Sequence, residues 1–184
     1  VNKKFATITL GILAFVATAA VAAPKNPMVG GQEMYPTKNI IENAVNSADH
    51  TTLVAAVKAA GLVDTLEGPG PFTVFAPTNE AFAKLPAGTV DNLLKPENKD
   101  TLVKILTYHV VAGKVTAADL KKMIKDGNGQ ATLKTVSGGT LTAMIQGKNI
   151  VLKDDKGDIS TVTIPNVMQS NGVIHVVDTV LLPN

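Results

Sequence analysis

The apolar positions of this chain keep a helical period in its first half and shift to strand-like segments in its second. Ile40, Ile41, Ala44 and Val45 recur at helical spacing. Asp49 is placed to cap a second helix, in which Leu53, Val54, Ala56, Val57, Ala60 and Leu62 form a wide apolar stripe. Gly61 ends its regular part, and Leu62 to Leu66 predicts another turn. Gly68-Pro69-Gly70-Pro71 forbids continuation and sets up a short strand from Phe72. Thr78 or Asn79 caps the next helix, which carries Ala81, Phe82 and Leu85 and stops at Pro86. Val90, Leu93 and Leu94 predict a short helix. Glu97, Asn98 and Asp100 open another, where carboxylates suit the helix dipole, and Leu102, Val103, Ile105 and Leu106 are its buried face. A strand is expected over Tyr108 to Val111. Thr116-Ala117-Ala118-Asp119 is a capping-box pattern that opens a helix through Leu120, Met123 and Ile124.

Beyond Gln130 the pattern becomes short strands between turn signals: Gln130 to Val136, Thr140 to Gln146, Asn149 to Lys153 and Ile159 to Ile164. Pro165 interrupts before a closing segment. That segment, Asn171 to Pro183, has no clean polar face, because Val173, Ile174, Val176, Val177, Val180, Leu181 and Leu182 fill it. It is expected to be a strand buried on both sides, fed by a tight turn at Gly172, and its removal is expected to unfold the domain. Helices first and strands later, with one early strand, predict an α+β fold.

Three stretches carry a resemblance. They are Thr73-Val74-Phe75-Ala76-Pro77-Thr78-Asn79-Glu80-Ala81-Phe82, then Tyr108-His109-Val110-Val111-Ala112-Gly113, then Asn171-Gly172-Val173-Ile174-His175-Val176-Val177-Asp178-Thr179-Val180-Leu181-Leu182-Pro183. In order and spacing the sequence resembles the fasciclin domain family, over roughly Asn39 to Pro183. The resemblance implies a fasciclin-like β-sandwich wedge with helices packed around it. The chain is expected to divide into a signal peptide at 1–23, an N-terminal arm at 24–38 and the domain at 39–184. The arm, with small apolar knots at Met28-Val29 and Met34-Tyr35, is either a disordered linker or a segment packed on the domain.

The signal peptide rests on Lys3 and Lys4, the apolar run from Phe5 to Val16 and a cleavage site at Ala20-Val21-Ala22 or one residue later; an uncleaved anchor is the alternative. Its removal changes the charge. The 17 basic residues are all Lys, against 15 Asp and Glu, so losing Lys3 and Lys4 leaves a neutral chain. A neutral chain without Arg has no electrostatic footprint for nucleic acid. Zero Cys excludes a disulfide scaffold and leaves stability to one hydrophobic core. No membrane span is expected in the mature chain. The destination implied is secreted, periplasmic or extracellular, and the resemblance is to single-domain bacterial members of the family.

No catalytic constellation emerges. His109 and His175 lie in apolar strands and are read as satisfied core residues; the third histidine, His50, sits at a helix start. No Cys and no short-spaced His pair support a zinc site. Asp154, Asp155 and Asp158 lack the spacing and closing Glu of a calcium loop and are read as a solvated hairpin turn. None of Ser47, Ser137, Ser160 and Ser170 lies in a nucleophile elbow. The reading is therefore not an enzyme, with no cofactor and no metal.

Binding residues come from the resemblance. In animal family members, integrin recognition is assigned to an Asp-Ile pair before the last motif and to the Tyr-His stretch. The positions here are Asn166 and Val167, and Tyr108 and His109. Asn166 replaces the family's carboxylate. Adhesion or host association through a cell-surface or matrix protein or a glycan is the implied function, with an extracytoplasmic small-molecule or lipid binding module as the alternative, using a groove between helices and sandwich.

Overall fold

The computed structural model describes residues 25–184, so the expected signal peptide lies outside the described residues. Helical and strand segments follow the α+β order. The helices are α1 (Ile40–Ala44), α2 (Thr51–Ala60), α3 (Val63–Glu67), α4 (Asn79–Ala83), α5 (Thr89–Leu93), α6 (Lys99–Tyr108) and α7 (Ala117–Asp126). The strands are β1 (Met28–Val29), β2 (Gln32–Glu33), β3 (Phe72–Pro77), β4 (Val110–Ala112), β5 (Gln130–Lys134), β6 (Thr140–Gln146), β7 (Asn149–Lys153), β8 (Ile159–Gln169) and β9 (Gly172–Val177).

Seven strands form one mixed sheet in the order β4-β3-β9-β8-β7-β6-β5. The closing strand β9 lies at its interior, parallel to β3 and antiparallel to β8, and all six of its residues are buried. The strand is shorter than expected: it ends at Val177, and the chain beyond it is irregular, although Val180 and Leu181 remain buried. The first half of β8 pairs with β7 and its second half with β9. The two ends of the sheet approach each other: Val111 bridges Thr135, and the Val136 N–H donates to the Val110 carbonyl at 2.8 Å. A near-barrel results, with a core on each face. One gathers Phe75, Tyr108, Leu120, Leu133, Leu141, Leu152, Val177 and Leu181; the other packs Val74, Ala76, Ile174 and Val176 against α1, α2 and α6. Alternation along β3 and β9 sends successive side chains to opposite cores.

The strand β9 can take this place because two glycines clear its entry. A Cβ on Gly172 would stand 2.0 Å from the Phe72 carbonyl oxygen, and one on Gly70 would stand 2.0 Å from that of Asn171. Asn171 ties the same junction. Its side-chain oxygen accepts the Ile40 N–H at 3.1 Å, and its amide donates to the carbonyls of Leu66 at 2.6 Å and Gly68 at 3.0 Å.

Several local expectations change. Asp49 does not cap α2; it lies within a 3₁₀ turn, Ala48–His50. The cap comes from across the chain, where Asn79 accepts the Thr52 N–H at 3.0 Å and donates to the Ala48 carbonyl at 2.9 Å. Tyr108 ends α6 instead of opening a strand. Pro165 bends β8 without ending it, because bulges between Val162 and Val167 carry the strand past a residue that lacks an N–H. Asp154 is buried: it accepts the N–H groups of Lys156, Asp158 and Leu182 at 3.0, 2.9 and 2.9 Å. The arm packs on the domain, with Val29 and Met34 buried and the Asn43 side chain bonded to both the N–H and the carbonyl of Tyr35.

Gly172→Ala is expected to destabilise the fold by about 3 kcal/mol or more, since the methyl group forces β3 and β9 apart. Urea unfolding followed by circular dichroism measures this. A loss below about 0.5 kcal/mol would mean that the strand entry can relax.

Candidate functional site

The residues singled out from sequence separate into two groups. Tyr108 and His109 are turned into the molecule. The Tyr108 hydroxyl donates to the Thr140 carbonyl at 2.6 Å and accepts the Asp155 N–H at 2.9 Å. Its ring packs so closely on Gly139 that a Cβ there would lie 2.7 Å away. Burial pushes its pKa up to about 12. His109 lies at the C-terminal end of α6. Its Nδ1 donates to the Ile105 carbonyl at 2.9 Å, and its Nε2 accepts the Leu181 N–H at 2.9 Å. Both ring nitrogens are used, and they tie α6 to the C-terminal tail. A partner that touches the intact surface does not reach either residue.

Asn166 and Val167 sit on the β8 bulge. Val167 is buried, while Pro165 and Asn166 are exposed. Asn166 has φ 58°, a left-handed conformation that Asn and Asp tolerate better than other residues with a side chain. Two contacts hold it there. Its side-chain oxygen accepts the Ala117 N–H at 2.8 Å, at the start of α7. Its own N–H donates to His175 Nδ1 at 3.3 Å.

His175 is the hidden centre of this face. Its Nε2 donates to the Val115 carbonyl at 2.8 Å, which fixes the tautomer, and its ring stacks on Phe75 with centroids 5.6 Å apart. Thr73 completes the tie from the neighbouring strand. Its hydroxyl donates to the Gly113 carbonyl at 2.7 Å and accepts the Val115 N–H at 2.8 Å. The bulge and the loop from Gly113 to Thr116 thus form one rigid ridge, anchored from beneath by β3 and β9. Sequence reasoning missed Thr73 and Asn171, whose roles depend on partners more than 40 residues away. Among the described residues no three His, Cys, Asp or Glu side chains come together as a metal site. No described helix is long and apolar enough to cross a membrane.

Comparison with known proteins gives this architecture its class. The fasciclin domain matches residues 48–183, and the chain belongs to that family. A Synechocystis protein, sll1483, is 51% identical over 144 residues, covering 78% of this chain and 73% of its own. The immunogenic protein MPB70 of Mycobacterium bovis is 38% identical and covers 89% of this chain and 78% of its own. The cell surface glycolipoprotein MPB83 of the same species is 35% identical, covering 91% and 78%. Among solved structures, a FAS1 domain pair from the insect cell adhesion molecule fasciclin I superposes with a TM-score of 0.70 at 21% identity, over 79% of this chain. This chain spans about half of that one, 51%, and the likeness is one of fold.

The buried histidines make stability depend on pH. Burial lowers the pKa of all three, that of His109 to about 4 from an ordinary 6.5. Below pH 6.5 the unfolded chain takes up protons that the folded chain refuses. The stabilisation is full above pH 6.5 and is lost as pH falls toward 4, and His109 alone contributes roughly 3 kcal/mol to the loss. Urea midpoints between pH 7.5 and 4 are expected to fall accordingly, and less steeply in His109→Gln. Equal slopes in the two proteins would remove His109 as the source.

Proposed function

We propose that this protein is secreted and acts by binding, attaching to a cell-surface or matrix protein or glycan through the ridge around Pro165 and Asn166. The observation that carries the reading is the pose of Asn166: exposed, left-handed and held by His175 and Ala117. A side chain held in one pose loses less conformational entropy on binding. Family membership and surface-associated relatives supply the class of function. The departure from the family's carboxylate at this position argues for hydrogen-bonded recognition by the amide over coordination to a receptor-held cation. Tyr108 and His109 then act as supports, since neither reaches the surface.

Beads carrying the protein are expected to bind whole cells or matrix components saturably. Pro165→Arg places a long charged side chain on the ridge without removing an N–H. It is expected to weaken binding more than tenfold with an unchanged urea midpoint. Lys148→Glu, in the β6–β7 turn, is expected to bind as the parent does. Binding by Pro165→Arg at the parent level would remove the ridge as the contact, and no saturable binding to any surface would remove the adhesion reading.

A further inference from the structure

Asn128-Gly129 and Asn171-Gly172 are the places where an asparagine precedes a glycine. Such a pair is chemically weak. The glycine nitrogen carries no neighbouring side chain to obstruct it, so it can turn on the asparagine amide. It gives its proton to solvent base and bonds to Cγ, and the side-chain nitrogen leaves as ammonia. Water then opens the cyclic imide at either carbonyl, leaving aspartate or isoaspartate. By sequence the two pairs are alike, and the fold separates them.

Asn171 is fastened on both sides of its side chain. Its oxygen accepts the Ile40 N–H, and its amide donates to the Leu66 and Gly68 carbonyls. Gly172 is buried in β9, with the Phe72 carbonyl pressed against it. Swinging the Gly172 nitrogen onto the Asn171 side chain breaks those bonds and draws β9 away from β3. That motion amounts to global unfolding.

Asn128 stands just past α7 with φ 57°, and both it and Gly129 are exposed. No heavy atom outside its chain neighbours lies within 4 Å of the place a Cβ would take on Gly129. The Asn128 N–H donates to the Lys125 carbonyl at 3.3 Å and the Gly129 N–H to the Ile124 carbonyl at 2.8 Å, a Schellman closure of the helix. The bond to Ile124 restrains the attacking nitrogen, since it holds the proton that must leave and turns the nitrogen toward the helix. It opens whenever the last turn frays, and fraying costs far less than unfolding the domain.

We propose that Asn128 is a site of spontaneous deamidation in the folded protein, with water as the co-reactant, and that the fold spares Asn171. The product places a carboxylate at the C-terminal end of α7, where the helix dipole disfavours it. Isoaspartate also lengthens the backbone by one carbon, so the Schellman closure no longer fits. Asn128 and the Asn166 ridge lie at opposite ends of α7, and neither reading depends on the other.

The test warms the full chain in mildly alkaline buffer, with and without denaturing urea, and follows both sites by tryptic mass spectrometry. Cleavage after lysine places Asn128 in the fragment 126–134 and Asn171 in 157–184, where fragment ions separate it from Asn166. The gain in mass on exchange of amide for acid marks each event. Asp126-Gly127 can close the same imide, but it loses water and regains it, so the mass is unchanged. In the folded protein Asn128 is expected to convert at least tenfold faster than Asn171, and in urea the two rates are expected to come within about threefold. Conversion of Asn171 at the rate of Asn128 in the folded protein would overturn the proposal. So would an Asn128 that reacts in urea and stays intact without it, or a tenfold difference that persists in urea, which would assign the selectivity to local sequence.

Discussion

The strand β9 is paired along both edges and buried on both faces, and the rest of the molecule is arranged to receive it. Neither core is complete without it. Ile174 and Val176 enter the core beneath the helices, while Val177 enters the other. Its parallel partner β3 lies about 100 residues earlier in the chain. Closing so long a loop costs entropy before the pairing repays it. The glycines at positions 70 and 172 are the steric condition for that pairing, and Asn171 locks it to α1 and α3.

A chain without cysteine must fix its irregular segments by other means. Here single polar side chains do so, each bonded to two or more backbone groups, at least one of them distant in sequence. His109 joins α6 to the tail, His175 joins the β8 bulge to the loop before α7, and Asp154 joins a hairpin turn to Leu182. Ser160 holds the same tail by donating to the Thr179 carbonyl at 2.8 Å. Every one of these groups is buried and satisfied, which turns the desolvation of a polar atom into positional specificity. The exposed ridge at Asn166 inherits its rigidity from this buried set.

The order of helices and strands was legible because it depends on apolar periodicity within single segments. The double-sided burial of β9 was legible for the same reason, as was the core placement of His109 and His175 in apolar surroundings. What failed needed partners far away in sequence. Asn79 caps α2 in place of Asp49, and nothing local distinguishes the two residues as acceptors. Asp154 resembles its solvated neighbours until Leu182 arrives beside it. Pro165 is a strand breaker by local rule, and only a bulge in β8 accommodates it. The candidate site was half legible: the motif marked Asn166, but its left-handed backbone and the His175 anchor belong to the folded chain.

The meeting of the sheet's two ends, through Val111 with Thr135 and Val110 with Val136, has a consequence for solubility. A sheet rich in valine and isoleucine with free outer strands is a template on which other chains add strands and polymerise. Joining the ends covers part of that template and leaves the outer edge of β5 open, with Lys134 standing on it. The bridge therefore shortens the free edge on which a second copy could add a strand, and Lys134 places a charge on the part that remains open.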